Sequence, residues 1–199
     1  MLKPTPPKII GICGFPCHGK STAQEFLTHL GVEARDDGDI LRRKVAEEFG
    51  LTWEDVSTQE GKAKVVPGID GELMTVRKLL GDYGKVLEAK HGQNYIAEKA
   101  IEALVNDRAQ TNSNQAASFG SIRMNQPAAY KAAGGFVIEV LDPRKPTAIH
   151  DFDHYDRDYV DVQIINDGDV KDLNWCVFQA VVGYLQPTNE QVCAAAQFV

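Results

Sequence analysis

A three-layer α/β fold around a central parallel sheet is predicted for this 199-residue chain by three observations. An apolar run, Ile9-Ile10-Gly11-Ile12-Cys13, reads as a buried strand. Residues 14–21, Gly-Phe-Pro-Cys-His-Gly-Lys-Ser, follow it and fit G-x-x-x-x-G-K-[ST]. Helix-like and strand-like periodicities then alternate along the rest of the chain. A strand, a glycine loop and a helix in that order form a phosphate-binding P-loop, because successive backbone N–H groups and the helix N-terminus converge on anionic oxygens. Gly14 and Gly19 permit the turn, Lys20 places a compact cation on the β- and γ-phosphates, and the Ser21 hydroxyl can ligate Mg²⁺ with Thr22 beside it. The expectation is the P-loop NTPase fold as one domain over residues 1–199, with its ligand at the carboxyl ends of the strands.

The elements follow in order. Ala23, Phe26, Leu27 and Leu30 sit at helical spacing after the loop, and residues 32–34 begin a second strand. Asp36-Asp37-Gly38-Asp39 leads into an amphipathic helix carrying Ile40, Leu41, Val45, Ala46 and Phe49, stopped by Gly50. Thr52-Trp53-Glu54-Asp55 reads as a capping box for a short helix, and residues 61–70, with Pro67 and two glycines, read as a loop. Leu73, Val76, Leu79 and Leu80 mark another helix. Tyr95, Ile96, Ala100, Ile101 and Leu104 mark the next, with residues 106–115 polar and loop-like. Strands are expected at 116–119, 135–141 and 159–165, and a short helix at 126–133. Asp169 caps a last helix whose apolar residues run from Leu173 to Tyr184, and the tail after Pro187 carries no signal.

Net charge is −7, which argues against a nucleic-acid or membrane-surface partner, since both demand clustered Lys and Arg. Cys13, Cys17, Cys176 and Cys193 lack paired metal spacing and read as reduced thiols of a cytoplasmic protein. Residues 1–8 read as a short leader without the apolar core of a signal peptide, and no run is long enough to span a membrane.

The loop with its proline at Pro16 and Thr22 closing it resembles the G-x-P-x-x-G-K-x-T loop of adenylate kinases. Gly38-Asp39-Ile40-Leu41-Arg42 is similar to their G-D-x-L-R segment, whose arginine grips the acceptor nucleotide's phosphate. The remaining layout resembles the bacteriophage-type deoxynucleoside monophosphate kinases: Arg77-Lys78-Leu79-Leu80 before Gly84, Ser121-Ile122-Arg123, the strand from Gly134-Gly135 to Leu141, and residues 158–168 ending Asn166-Asp167-Gly168. One position departs, for that pattern usually has an aspartate where Ser121 stands; Asp36, Asp37 or Glu139 are the acidic residues at neighbouring strand ends.

The resemblance implies ATP-dependent phosphoryl transfer to a (deoxy)nucleoside monophosphate, with Mg²⁺, by a monomer or homodimer in the cytoplasm, the host's if the chain is phage-encoded. Its implied nucleotide contacts are Gly14, Phe15, Pro16, Cys17, His18, Gly19, Lys20, Ser21, Thr22 and Asn166, with Ser21 and Asp37 toward the metal. Arg42, Arg77 and Arg123, with Asp39, would hold the acceptor phosphate, since guanidinium matches phosphate in bidentate fashion. Residues 38–110 would form a helical acceptor-binding region. Residues 142–158 would form a lid-like segment in which Arg144, Lys145 and Arg157 replace the paired arginines of an adenylate kinase lid. His18 is expected to face solvent, and Arg43 to belong to a solvated face. The cluster His150, Asp151, Asp153, His154 and Asp156 suits a polar lid or a metal site, and Trp53 and Tyr83 suit base stacking or core packing. Two other classes stay open: a kinase of another small acceptor such as dephospho-coenzyme A, and a nucleotide-binding regulator without transfer activity.

Overall fold

The computed structural model describes residues 7–120, 122–147 and 153–199. Its centre is a five-stranded sheet in the order β2-β5-β1-β6-β7, every pair parallel, built from β1 (Ile9–Cys13), β2 (Glu33–Arg35), β5 (Ala117–Phe119), β6 (Phe136–Leu141) and β7 (Val162–Ile165). β1 is central and buried along its whole length, as its unbroken apolar run requires of a parallel strand covered on both faces. Alternation divides it: Ile10 and Ile12 join one core against α1 (Lys20–His29) and α8 (Val170–Leu185). Ile9 and Cys13 join the other, against α6 (Tyr95–Thr111) and α7 (Gln126–Ala132). Sheet and two helical layers confirm the predicted fold class.

A third cluster, Val45, Val56, Val76, Leu79 and Leu80, holds together α2 (Gly38–Phe49), α3 (Trp53–Ser57) and α5 (Val76–His91) beside the carboxyl edge of the sheet. The capping box at Thr52–Asp55 forms as read, and Asp169 caps α8 within a second box closed by Asp172.

Three expectations are corrected, and the tail after Pro187, which carried no signal, takes up helical structure. Residues 61–70 are not a loop, because α4 (Gln59–Ala63), capped by Thr58, leads into β3 (Val65–Pro67), which pairs antiparallel with β4 (Leu73–Thr75). Leu73 therefore lies in a hairpin strand, and α5 starts only at Val76 under the Thr75 cap. The helix expected to end near residue 105 continues to Thr111, because Arg108 in its last turns pairs with Glu33 and donates to the Gln115 carbonyl at 3.0 Å. Tertiary pairing there overrides a polar, loop-like composition. Finally, the tail forms α9 (Asn189–Ala195) under a Thr188–Gln191 capping box, with Ala195 in the core and Phe198 stacked on His29. Among the described residues no helix is long and apolar enough to cross a membrane.

Candidate active site

The chemistry-bearing residues gather at the carboxyl edge of the sheet, each just after a strand. The P-loop follows β1, Asp36 and Asp37 follow β2, Arg123 follows β5, Asp142 follows β6 and Asn166 follows β7. The loop's conformation needs its glycines: Gly14 (φ 138°) would drive a Cβ into the Val140 carbonyl oxygen, and Gly19 (φ 103°) would place one 2.6 Å from the Asn166 amide. Gly19 begins α1 with no side-chain cap and no acidic residue in the first turn, so the helix N-terminus presents its backbone donors to an anion. Cys17 is exposed at φ 65°, and Phe15 is buried against Tyr155 and His18, with ring centroids 5.4 and 5.5 Å away. Pro16 and Thr22 are half-buried and Ser21 is exposed.

Lys20 donates to the Phe15 carbonyl at 2.7 Å. Burial, and then the Arg123 charge, hold its pKa down at about 8.

His18 does not face solvent, which corrects the sequence reading. It is 1 % exposed, and its Nδ1 accepts from the Asp142 backbone N–H at 3.0 Å. A backbone N–H can only donate, so Nε2 carries the ring proton and donates to the Pro146 carbonyl at 2.9 Å. The imidazole thus ties the P-loop to the segment after β6. Asn166 braces the same loop, donating from Nδ2 to the His18 carbonyl at 3.0 Å. Arg144 bonds Asp142 at 2.8 Å and the carbonyls of Asn166 and Asp167, so it clasps two strand ends, while Lys145 is exposed.

Beside the loop lies a cavity of about 150 Å³ lined by the cations Arg42, Lys62, Arg77, Lys85 and Arg123 and the carboxylates Asp36, Asp37 and Glu88. An excess of cations in a chain of net charge −7 marks the cavity for an anionic ligand. Arg42 is held there by Asp36 at 2.8 Å and Asp39 at 2.6 Å, and Arg77 by Gln59. Asp39 itself stands outside the lining and acts on the cavity through Arg42. Arg123 pairs with the buried Asp153 at 3.2 Å.

The structure brings Arg42, Arg77, Arg123 and Asp37 into one cavity and leaves other candidates outside it. Trp53 sits under Arg43, and Tyr83 bonds Glu48. Of the His/Asp cluster, His150 and Asp151 lie outside the described residues, as does Ser121. Asp153 serves Arg123, Asp156 caps a turn at residues 157–159, and His154 packs near Phe15. Sequence reasoning missed Lys62, Lys85, Glu88 and Gln126. One signal was present for α5, where Arg77, Gly81, Gly84, Lys85 and Glu88 recur on one helical face with two glycines inside the helix.

Among the described residues no three His, Cys, Asp or Glu side chains gather to hold a metal unaided. Ser21 and Asp37 follow strands separated by β5. Glu139 is engaged by Tyr155, Gln163 and Arg157, the last at 2.7 Å. One hydroxyl and one carboxylate fit a cation that arrives with phosphate oxygens and its own waters, as Mg²⁺ does, better than a resident metal.

Asp37 is 2 % exposed, and burial followed by the Asp36 charge raises its pKa to about 7. A carboxyl raised in the native state binds extra protons there, so its contribution to stability falls as pH rises from about 4 to about 7. Asp37→Asn should therefore stabilise the protein increasingly over that window, by on the order of 4 kcal/mol at pH 8. Thermal melts of both proteins at pH 5 and pH 8 check this, and a gain that does not grow with pH would contradict the cost assigned to this carboxylate.

No protein-family model and no curated protein matches the chain. Among solved structures it is similar to "Dephospho-CoA kinase from Campylobacter jejuni", at a TM-score of 0.46 and 18% identity over 90% of this chain and 97% of that chain. A likeness at this level carries no argument about activity.

Proposed function

We propose that this protein transfers the γ-phosphoryl group of ATP to a (deoxy)nucleoside monophosphate, giving the diphosphate. The observation that carries the reading is the position of Arg123, which lines the cationic cavity and whose charge acts on Lys20 of the P-loop and on Asp37. A P-loop for a triphosphate donor and a basic cavity for a phosphorylated acceptor, sharing one arginine, suit direct transfer between two anions. Lys20 and the first-turn N–H groups of α1 hold the donor's phosphates. Arg42, Arg77 and Arg123 clamp the acceptor phosphate so that one of its oxygens attacks the γ-phosphorus in line while the bond to ADP breaks. Ser21 and Asp37 are the residues that would hold Mg²⁺ arriving with the nucleotide, which would supply positive charge to offset that of the phosphate oxygens.

The test is ADP formation from ATP and Mg²⁺ with each common ribo- and deoxyribonucleoside monophosphate offered singly, beside dephospho-coenzyme A and a no-acceptor control. Formation that depends on a monophosphate supports the reading. Turnover on dephospho-coenzyme A alone, or without acceptor, overturns it, and binding without turnover favours a regulator.

Nucleotide binding should also take up a proton. Phosphate beside Lys20 raises its pKa from about 8 toward the ordinary 10.5, so uptake should be small at pH 7 and approach one proton at pH 9. Calorimetric titration in buffers of different ionisation heat measures it, and equal uptake at both pH values would contradict contact between Lys20 and phosphate.

A further inference from the structure

Four of the five cations that line the cavity cluster at one end, and the fifth, Lys85, lies one turn from Glu88 on α5. At one end Lys62 has its pKa lowered by burial and then by the charges of Arg42, Arg77 and Arg123, so these four cations stand close together. Glu88 lines the cavity further along α5, eleven residues or about 16 Å of helix beyond Arg77. Burial raises its pKa, and Lys85, one turn before it on the same helix, also lines the cavity. The residue is 9 % exposed and, among the described residues, its side chain has no hydrogen-bond or ion-pair partner. Its carboxylate oxygens are not among the fully buried atoms, so they are open to the cavity and can accept hydrogen bonds from a ligand.

Between the two ends Leu41, Leu80 and Ile96 line the cavity. Gly81 and Gly84 lie on the cavity face of α5, and a Cβ on Gly84 would come 3.5 Å from Leu41 and 3.9 Å from Ile96. Glycine inside a helix costs about 1 kcal/mol relative to alanine, and here it lets Leu41 and Ile96 pack close to α5, so that the three form an apolar wall beside which a base can lie. Gln126 also lines the cavity. Its Oε1 accepts from the Arg123 backbone N–H at 2.6 Å, which leaves the Nε2 amide as a donor. Neighbouring Asn125 donates to Gln93, in the turn after α5, at 2.9 Å, so the start of α7 lies at the Glu88 end.

We infer that Glu88 reads the base of the acceptor nucleotide, and that this base is guanine. The inference rests on the monophosphate-acceptor reading above. A carboxylate offers two acceptors side by side. Guanine alone among the common bases presents two adjacent donors, N1–H and the N2 amino group, with no acceptor facing the second oxygen. Adenine and cytosine set a ring nitrogen acceptor beside their amino group, and thymine and uracil flank N3–H with carbonyl oxygens, so each would oppose one carboxylate oxygen with another acceptor. The Gln126 amide complements guanine at O6.

The experiment is equilibrium binding of GMP, dGMP, IMP and the other common monophosphates to the whole protein and to Glu88→Gln, with turnover measured separately. Guanine nucleotides should bind the protein most tightly, and IMP, lacking the N2 amino group, more weakly than GMP. Glu88→Gln should lose on the order of 10- to 100-fold in GMP affinity and little in AMP affinity. A protein that binds and phosphorylates some other monophosphate best, with its preference unchanged in Glu88→Gln, overturns this inference and leaves the kinase reading standing. Guanine-selective binding that depends on Glu88 but yields no diphosphate upholds the inference and removes the kinase reading. Binding of no monophosphate removes both.

Discussion

Replacing Lys20 with alanine should lower kcat by about 10²- to 10³-fold or more while leaving the melting temperature unchanged or higher. The asymmetry follows from the site. Lys20 is desolvated, its charge is opposed by Arg123, and its recorded hydrogen bond is to the Phe15 carbonyl. In the protein without nucleotide the ammonium is therefore a cost that phosphate would offset, and removing it relieves the fold while stripping the donor site of its compact cation. Assay of ADP formation beside a thermal melt separates the two effects. A variant that melts well below the parent would make Lys20 a structural residue.

Arg42→Ala should raise the KM for the acceptor by about 10- to 100-fold, the cost of losing hydrogen bonds to a charged group, and change the KM for ATP by no more than about twofold. Asp36 and Asp39 fix this guanidinium at the cavity wall, so it is already oriented before any ligand arrives. Steady-state kinetics with each substrate varied against saturating partner makes the measurement. Equal effects on both substrates would contradict its assignment to the acceptor side.

The P-loop was legible because a short contiguous pattern dictates it: Gly14 and Gly19 adopt backbone angles that their neighbours' positions forbid to other residues. The buried β1 and the capped α8 were equally local, each carried by one unbroken pattern. What the sequence obscured depends on distant partners. His18 looked like a solvent-facing loop residue because its partners, Asp142 and Pro146, come from the far side of β6. Arg108 extends α6 through Glu33, which is remote in sequence. The β3–β4 hairpin hid behind Pro67 and the glycines around it, since a three-residue strand carries too little periodicity to register. In the cavity, arginines stood out within longer motifs, whereas Lys62 and Glu88 lie on helix faces whose orientation only packing determines.

The most direct measurement follows the label from ATP carrying radioactive phosphorus at the γ position, incubated with Mg²⁺ and single nucleoside monophosphates. The account predicts label in the nucleoside diphosphate, in amounts equal to the ADP released and dependent on which monophosphate is present. Label released as inorganic phosphate at the same rate with and without acceptor would contradict it.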